Sequence, residues 1–248
     1  MKNVKFLQKL AMTLMGSLTV IACSNGDAPT NGNLSIAAKS TYTKSATLSN
    51  AKATNAVVDV TDFLLNLKEF KIEVDQAHEA QENESWDDDG RYDFEDEQKL
   101  QGPFELDLLS GQISFLSVDL PNSVYEEIKF KFGKSTDSNS QLFDKSILIK
   151  GTIDNTPFVF WHDFEDEVEV DFENPQLDIV VQNSADELII NFDLTSMLDA
   201  ATGVDLSLAK DMNNDGLIEI SPVDNDGNNQ LAQQLKQALK SHIDLLDR

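Results

Sequence analysis

A short stretch near the C-terminus has the residue types and the spacing of a calcium-binding loop. Residues 211–219 read DMNNDGLIE, in which acidic or amide side chains alternate ahead of a glycine. Oxygen atoms at alternate positions can converge on one hard cation, and a glycine at the sixth position lets the chain turn sharply. The predicted ligands are Asp211, Asn213, Asp215, the carbonyl of Leu217, and Glu219.

The loop departs from this pattern at its twelfth position, where a bidentate Glu is usual and this chain has Pro222. A second acidic turn follows at once, and its Asp224 and Asp226 are the predicted sources of the missing carboxylate. Without a twelfth ligand we expect weak affinity, with a Kd for calcium of ~10⁻⁴ to 10⁻³ M. The alternative interpretation is a solvated Asn/Asp/Gly turn ahead of the last helix.

Two other segments are rich in acids, and both have a simpler interpretation than a binding site. Residues 82–97 (ENESWDDDGRYDFEDE) are typical of a solvated loop between two strands. Residues 163–173 alternate acids with apolar residues, which predicts the solvent face of a strand whose like charges protect a sheet edge. Trp86 and Trp161 are candidate stacking platforms for a sugar ring, although Trp161 also fits the core or the sheet surface.

The usual catalytic constellations are missing from the sequence. The three histidines, His78, His162 and His242, do not have the HxH or HExxH spacing of zinc ligands. There is no G-x-S-x-G elbow, no P-loop and no G-x-G-x-x-G motif. Carboxylate pairs are too plentiful to single out a general acid and base. The sequence therefore favours a protein that is not an enzyme.

The charge balance limits the classes of partner. The 248 residues include 19 Lys and Arg against 44 Asp and Glu, for a formal net charge of -25. Binding to nucleic acid needs clustered basic residues that displace counterions from phosphates, so a nucleic-acid partner is not expected. Electrostatic docking on anionic lipid is disfavoured for the same reason. The small partners that suit such a chain are cations.

The N-terminus has the pattern of a secretory signal peptide over residues 1–22. A basic start precedes an apolar run at residues 10–22, which is shorter than the roughly 20 residues of a membrane-spanning helix. The run ends in residues 20–23 (VIAC), and Cys23 is the only cysteine of the chain. The alternative interpretation is an ordinary cleaved signal peptide with a chance cysteine after it.

The VIAC segment resembles the lipobox of bacterial lipoproteins. That resemblance implies cleavage before Cys23, attachment of diacylglycerol to its sulfur and acylation of its new amine, which together give a palmitate-type membrane anchor. Ser24 in the next position resembles lipoproteins sorted to the outer membrane of Gram-negative bacteria. The sequence leaves open whether the protein lies on the periplasmic or the surface-exposed side.

The elements that would position the loop are mainly strands. Residues 23–56 are rich in Ser, Thr, Asn and Ala and predict a flexible tether after the lipidated Cys23, although residues 33–38 also fit a short strand. The period is two from residue 57 to about Leu194. The phase slips near Asp62 and again between Leu67 and Phe70, and we expect β-bulges at both places.

The spacing predicts one domain over residues 57–248, with some eight to ten strands and few helical stretches between them. This pattern is typical of a mainly β fold, an antiparallel β-sandwich. Residues 229–246 follow a helix face and predict one C-terminal α-helix that packs on the sandwich. Segments 63–74, 102–111 and 147–160 weakly resemble lipoproteins of unknown function that have a prealbumin-like β-sandwich.

The sequence therefore predicts an envelope lipoprotein that is not an enzyme. We expect a tethered acidic β-sandwich that binds calcium and a macromolecular partner, which could be a protein or a glycan. The alternative is a carbohydrate-binding or adhesin-type surface module with Trp86 or Trp161 in the contact.

Overall fold

The computed structural model describes residues 31–43, 56–74, 97–171, 179–181 and 185–247. Strands dominate these residues because apolar and polar side chains alternate with a period of two. The strands are β1 (Asn31–Thr41), β2 (Val58–Val74), β3 (Glu97–Asp107), β4 (Ile113–Pro121), β5 (Ser123–Phe132), β6 (Ile147–Ile153), β7 (Thr156–His162), β8 (Glu167–Asp171), β9 (Ile179–Val181), β10 (Ala185–Asp193), β11 (Ile218–Ile220) and β12 (Ile243–Asp247). The helices are α1 (Leu194–Met197), a 3₁₀ helix (Leu206–Leu208) and α2 (Asn229–Ser241).

The strands form two stacked sheets, which confirms the predicted β-sandwich. The first sheet has the order β12-β10-β1-β4, and the second has the order β11-β7-β6-β2-β5-β8. In the second sheet β3 pairs with the other edge of β2, and β9 pairs with β5 beside β8. Two neighbouring pairs, β1 with β10 and β7 with β11, are parallel, so both sheets are mixed.

The core lies between the sheets and is rich in phenylalanine. The inward residues of β2 are buried, because every second side chain of a strand points to the same face. Phe192 of β10 meets Phe63 of β2 edge to face at 6.2 Å, and it meets Phe130 of β5 at 6.3 Å between ring centroids. These ring contacts join the first sheet to the second.

Both predicted phase slips in β2 are confirmed as irregularities of the ladder. The register shifts between Val60 and Asp62 against β6, and between Leu67 and Glu69 against β3 and β5. A glycine faces each slip. A Cβ on Gly151 would lie 1.9 Å from the Asp59 carbonyl oxygen, and one on Gly102 would lie 2.4 Å from the Leu67 carbonyl oxygen. The strand can bulge there because its neighbour has no side chain.

The domain begins earlier than residue 57, so the tether predicted over residues 23–56 is wrong for residues 31–41. These residues form β1, which lies inside the first sheet between β10 and β4. Leu34 and Ile36 are completely buried. Burial of these side chains outweighs a composition rich in Ser, Thr and Asn, and the strand pattern noted at residues 33–38 was the correct alternative. Residues 23–30 and 44–55, like the signal peptide at 1–22, lie outside the described residues.

The last helix is shorter than the predicted range of 229–246. Helix α2 ends at Ser241, and β12 then pairs antiparallel with β10. Its buried face packs on the sandwich as expected and consists of Leu231, Ala232, Leu235, Ala238 and Leu239. The chain leaves the helix because residues 243–247 gain backbone hydrogen bonds at the edge of β10, which periodicity alone does not reveal.

The predicted strand geometry of the acidic segment at 163–173 is confirmed for residues 167–171, which form β8, whereas residues 163–166 precede the strand. In β8, Val168 is buried while Glu167 and Glu169 are exposed. Residues 172 and 173 lie outside the described residues, as does most of the other acidic segment, 82–97. The exposed acids of β8 are therefore the solvated face of a strand.

Candidate functional site

The predicted calcium loop folds around the side chain of Asp211. The Asp211 carboxylate accepts hydrogen bonds from the backbone N–H of Asp215 at 3.2 Å and of Gly216 at 2.9 Å. Asn214 and Gly216 have positive φ angles of 59° and 88°. Asn tolerates this left-handed region and Gly favours it, so the sequence supplies a sharp turn where the motif needs one.

Asn213 and Asp215 lie beside Asp211 in the same turn. Asn213 Oδ1 accepts from the backbone N–H of Asp215 at 2.8 Å, and its Nδ2 donates to Asp215 Oδ2 at 3.1 Å. The backbone N–H of Leu217 donates to Asp215 Oδ1 at 2.9 Å. Three predicted ligands, Asp211, Asn213 and Asp215, are therefore brought together by short-range contacts.

Glu219, the predicted ligand at position nine, takes a different direction. It belongs to β11, whose residues pair in parallel with β7. Its Oε1 accepts a hydrogen bond from Nε1 of Trp161 at 3.1 Å and lies 3.4 Å from the Ser221 hydroxyl. Strand pairing thus turns this carboxylate towards β7, while Ile218 beside it is buried as predicted.

Asp224 and Asp226 are buried acceptors of backbone hydrogen bonds. Asp226 is completely buried and receives the N–H groups of Asn213 at 3.3 Å and Glu219 at 2.8 Å. Asp224 receives the N–H groups of Ser221 and Asn228, each at 2.9 Å. Asp226 therefore contacts the calcium loop, but through the backbone of the loop. A buried carboxylate is costly unless such donors compensate its charge.

Asn228 joins the two ends of this region, and sequence reasoning missed its role. Its Oδ1 accepts from Lys210 N at 3.0 Å, and its Nδ2 donates to the carbonyls of Lys210 and Glu219, both at 2.7 Å. The side chain is 4% exposed. The only signal in the sequence is an asparagine just ahead of the last helix.

Trp161 lies on the outer face of the second sheet beside this region. The residue is half-buried, and the ammonium of Lys145 lies 5.5 Å from the ring centroid. With Glu219 at its indole N–H, the ring has an anion at its edge and a cation over its face. The other predicted stacking residue, Trp86, and the lipidation candidate Cys23 lie outside the described residues.

His162 fixes the end of β7 against helix α2. Its Nδ1 accepts from the backbone N–H of Asp163 at 2.9 Å and of Phe164 at 3.1 Å, which places the proton of the neutral ring on Nε2. Nε2 lies 3.1 Å from the side-chain amide of Gln233. The ring is 5% exposed, so its role is structural.

Burial lowers the pKa of His162 from its usual value. Lys236 lowers it further, while Gln233, Asp163 and Asp166 act in the opposite direction. Asp166 also anchors helix α2: burial alone would raise its pKa, but the ammonium groups of Lys236 at 2.9 Å and Lys240 at 3.0 Å hold that pKa below its usual value.

The lowered pKa of His162 predicts that acid weakens the fold. Above about pH 6.5 the imidazole is neutral in both states and its contribution to stability is complete. Below that value the unfolded state binds the proton more readily, so stability is lost as the pH falls towards the pKa of the folded protein. Urea midpoints at about pH 7.5 and about pH 5.5 should therefore differ more for the wild type than for His162→Gln. Parallel profiles for the two proteins would contradict this expectation.

Among the residues that the structure describes, no three or more His, Cys, Asp or Glu side chains are grouped closely enough to hold a metal ion. The same part of the chain contains no helix long and apolar enough to cross a membrane. The convergent oxygen atoms of the loop come from two carboxylates and one amide, with Glu219 turned away.

Comparison with known proteins gives no family for this chain. A scan against protein-family models, a search of curated proteins and a search of solved structures each returned no match. The resemblances to bacterial lipoproteins and to a prealbumin-like sandwich stay predictions.

Proposed function

We propose that this chain is an envelope lipoprotein without enzymatic activity, anchored in the outer membrane through Cys23. Its acidic β-sandwich binds calcium through residues 211–219 and contacts a macromolecular partner. The anchor is supported by the VIAC segment and the single cysteine. The absence of a catalytic motif from the sequence supports a binding role.

The observation that carries the calcium proposal is the turn around Asp211. The side chains of Asp211, Asn213 and Asp215 are within hydrogen-bond distance of one turn of backbone, in the order that the motif requires. Carboxylate, amide and carbonyl oxygens are the ligands that calcium prefers. Residues 218–220 are held by β7, so the loop is anchored at its C-terminal side.

Calcium binding to this loop would involve Glu219 as the ninth-position ligand. In the structure Oε1 of this carboxylate accepts from the indole of Trp161, so a calcium ion bound to Oε1 would replace that hydrogen bond. That exchange, together with Pro222 at the twelfth position, favours weak binding, with a Kd of ~10⁻⁴ to 10⁻³ M.

The test is a calcium titration of the full chain carrying Cys23→Ser, followed by calorimetry and by melting temperature. Saturable binding should stabilise the fold by about 1.4 kcal/mol at roughly ten times the Kd. Asp211→Asn/Asp215→Asn should abolish this gain. The control Asp144→Asn/Asp244→Asn makes the same charge change at exposed carboxylates outside the loop and should retain it. Equal melting temperatures with and without millimolar calcium in the parent chain would remove the metal from the proposal.

A second readout reports the position of Glu219. In a Trp86→Phe background Trp161 is the only tryptophan, so its emission should shift when calcium withdraws the carboxylate from its indole N–H. Calorimetric binding without such a shift would mean that Glu219 Oε1 is not a ligand.

The alternative function, a carbohydrate-binding or adhesin-type module, is favoured by the surroundings of Trp161. A half-buried indole with a carboxylate and an ammonium beside it offers both stacking and polar contacts to a sugar. Binding on a glycan array that Trp161→Ala removes would support this function. If the parent chain binds no glycan on the array, the carbohydrate-binding function is rejected.

A further inference from the structure

Four large apolar side chains are exposed around the calcium loop. They are Leu208, Met212, Leu217 and Val223, with exposed fractions of 61, 62, 39 and 72%. Hydrogen bonds from Asn213 N to Asp226 and between Lys210 and Asn228 hold residues 208–217 and the turn that contains Val223 in one region of the fold. These four side chains are called the apolar fringe below. Clustered exposed apolar residues on a folded surface are typical of contact sites.

The fringe lies in strongly acidic surroundings. Residues 199–228 contain a single basic residue, Lys210, and seven acids. Five of these acids, Asp199, Asp205, Asp211, Asp215 and Glu219, have partly or fully exposed side chains, whereas Asp224 and Asp226 are buried. An apolar centre with an acidic rim is complementary to an apolar segment flanked by Lys or Arg.

The topology places the fringe at one end of the sandwich. The loop immediately precedes β11, whose Ile218 pairs with Phe158 close to the start of β7. Strand β2 also begins at this end, because Val58 pairs with Ile153 at the β6–β7 turn. We call this the loop end.

The described chain begins at the opposite end. Asn31 pairs with Pro121 of β4, and β5 starts two residues later. Tyr125 near the start of β5 pairs with Val74, the last residue of β2. Strand β1 runs from Asn31 towards the loop end, where the Tyr42 hydroxyl contacts the backbone of Val58 and Val60. At the usual rise of a strand, Asn31 therefore lies about 36 Å from the loop end.

This geometry limits what can cover the fringe if Cys23 is lipidated, a step that rests on the proposed function. Cys23 and Asn31 are eight residues apart in the sequence, and that length of chain spans at most about 29 Å. Pointing the loop end straight at the same bilayer would lift Asn31 to about 36 Å, beyond the reach of the anchor. The loop end therefore does not point straight at the membrane that holds the protein.

We propose that the apolar fringe is a docking surface for a protein segment of apolar residues flanked by Lys or Arg. The side chains of the fringe enter the contact, and the surrounding carboxylates pair with the flanking cations. The bilayer is disfavoured as the occupant by the reach of the anchor and by the acidic charge around the fringe. A second copy of the chain is disfavoured because it would bring two acidic rims together.

The test measures binding of a fluorescent amphipathic Leu/Lys peptide, with a Leu/Glu peptide of equal length as the charge control. The full chain carrying Cys23→Ser should bind only the Leu/Lys peptide, saturably. Leu208→Ser/Met212→Ser/Leu217→Ser/Val223→Ser should weaken binding by about tenfold, which corresponds to about 1.4 kcal/mol of lost apolar contact. Phe143→Ser/Val180→Ser/Leu246→Ser changes exposed apolar side chains elsewhere and should leave the affinity unchanged.

The orientation of the fringe relative to the bilayer can be measured separately. Cys23 is the only cysteine of the chain, so it can be coupled to a maleimide phospholipid in phosphatidylcholine vesicles. The coupled full chain should bind the Leu/Lys peptide as tightly as the free chain. Loss of binding on vesicles would mean that the fringe faces the bilayer.

Other outcomes separate this proposal from the calcium proposal. Equal peptide affinity of the fringe variant and its control would overturn the docking surface, because charge alone would then explain binding. A dimer in sedimentation that the fringe substitutions dissociate would identify a second copy as the occupant and overturn the proposal. The calcium titration and the peptide titration are both made on the parent chain, so failure of the calcium titration with intact peptide binding would affect only the calcium loop.

Discussion

Phe192→Ala is expected to lower the free energy of unfolding by about 4 kcal/mol. Phe192 is 1% exposed and meets rings from two strands of the opposite sheet, Phe63 and Phe130. Truncation removes the transfer energy of the ring and leaves a cavity between sheets that cannot collapse without shifting both. Edge-to-face contacts with the two rings add to the loss.

Urea unfolding monitored by circular dichroism measures this effect, with two controls. Phe192→Leu retains most of the volume and should cost about 1 kcal/mol. Phe143→Ala makes the same substitution at a ring that is 42% exposed, and it should change stability by less than about 0.5 kcal/mol. A loss at Phe192 no larger than at Phe143 would show that the two sheets are not joined through this residue.

Asn228→Asp is expected to destabilise the fold by about 3 to 5 kcal/mol at neutral pH. The substitution preserves the shape, but it turns a donor into a carboxylate oxygen that faces two carbonyls, those of Lys210 and Glu219, both at 2.7 Å. The new charge would also be buried. The calcium loop should lose its fixed ends, because Asn228 connects the residue before the loop to its ninth position.

The loss at Asn228→Asp should shrink as the solution is acidified. A protonated carboxyl can donate one hydrogen bond to these carbonyls, so the destabilisation is complete above the pKa of the new group in the folded state and declines below it. Stability measured from pH 7 to pH 4 tests this sign. Asn225→Asp makes the same charge change at an exposed position of the same turn and serves as the control. A similar loss in both variants would attribute the effect to net charge.

Glu219 connects the proposed calcium site to Trp161, the residue that the alternative carbohydrate-binding function would use. One carboxylate is both the predicted ninth ligand of the calcium loop and the acceptor of the Trp161 indole. A cation that withdraws the carboxylate would change the surface around the ring. Calcium binding and contact with a partner on this face would then be coupled through one side chain.

The sequence by itself determined the elements that depend on local pattern. A period of two identifies the strands of the sandwich, because alternate side chains of a strand face the same side. The phase of that pattern located both bulges of β2, since one residue of slip exchanges the two faces. The sequence also predicted the turn around Asp211, because the hydrogen bonds of this turn join residues at most five positions apart.

Only the tertiary structure decided which polar segments become part of the sheet. The composition of residues 31–41 is typical of a tether, yet β1 lies between β10 and β4, because those partners bury Leu34 and Ile36. Residues 243–247 continue a helical pattern but form β12, because β10 offers a free edge to them. Both outcomes depend on partners more than 50 residues away in the chain, which a local pattern does not contain.

The candidate site likewise has one part that the local sequence predicts and another that depends on residues distant in the chain. Asp211, Asn213 and Asp215 are brought together by short-range contacts that the motif predicts. The direction of Glu219 depends on Trp161, 58 residues earlier, and the clamp of Asn228 on Lys210 spans 18 residues. Local spacing specified the turn, whereas the packing of β11 against β7 decided where the ninth side chain points.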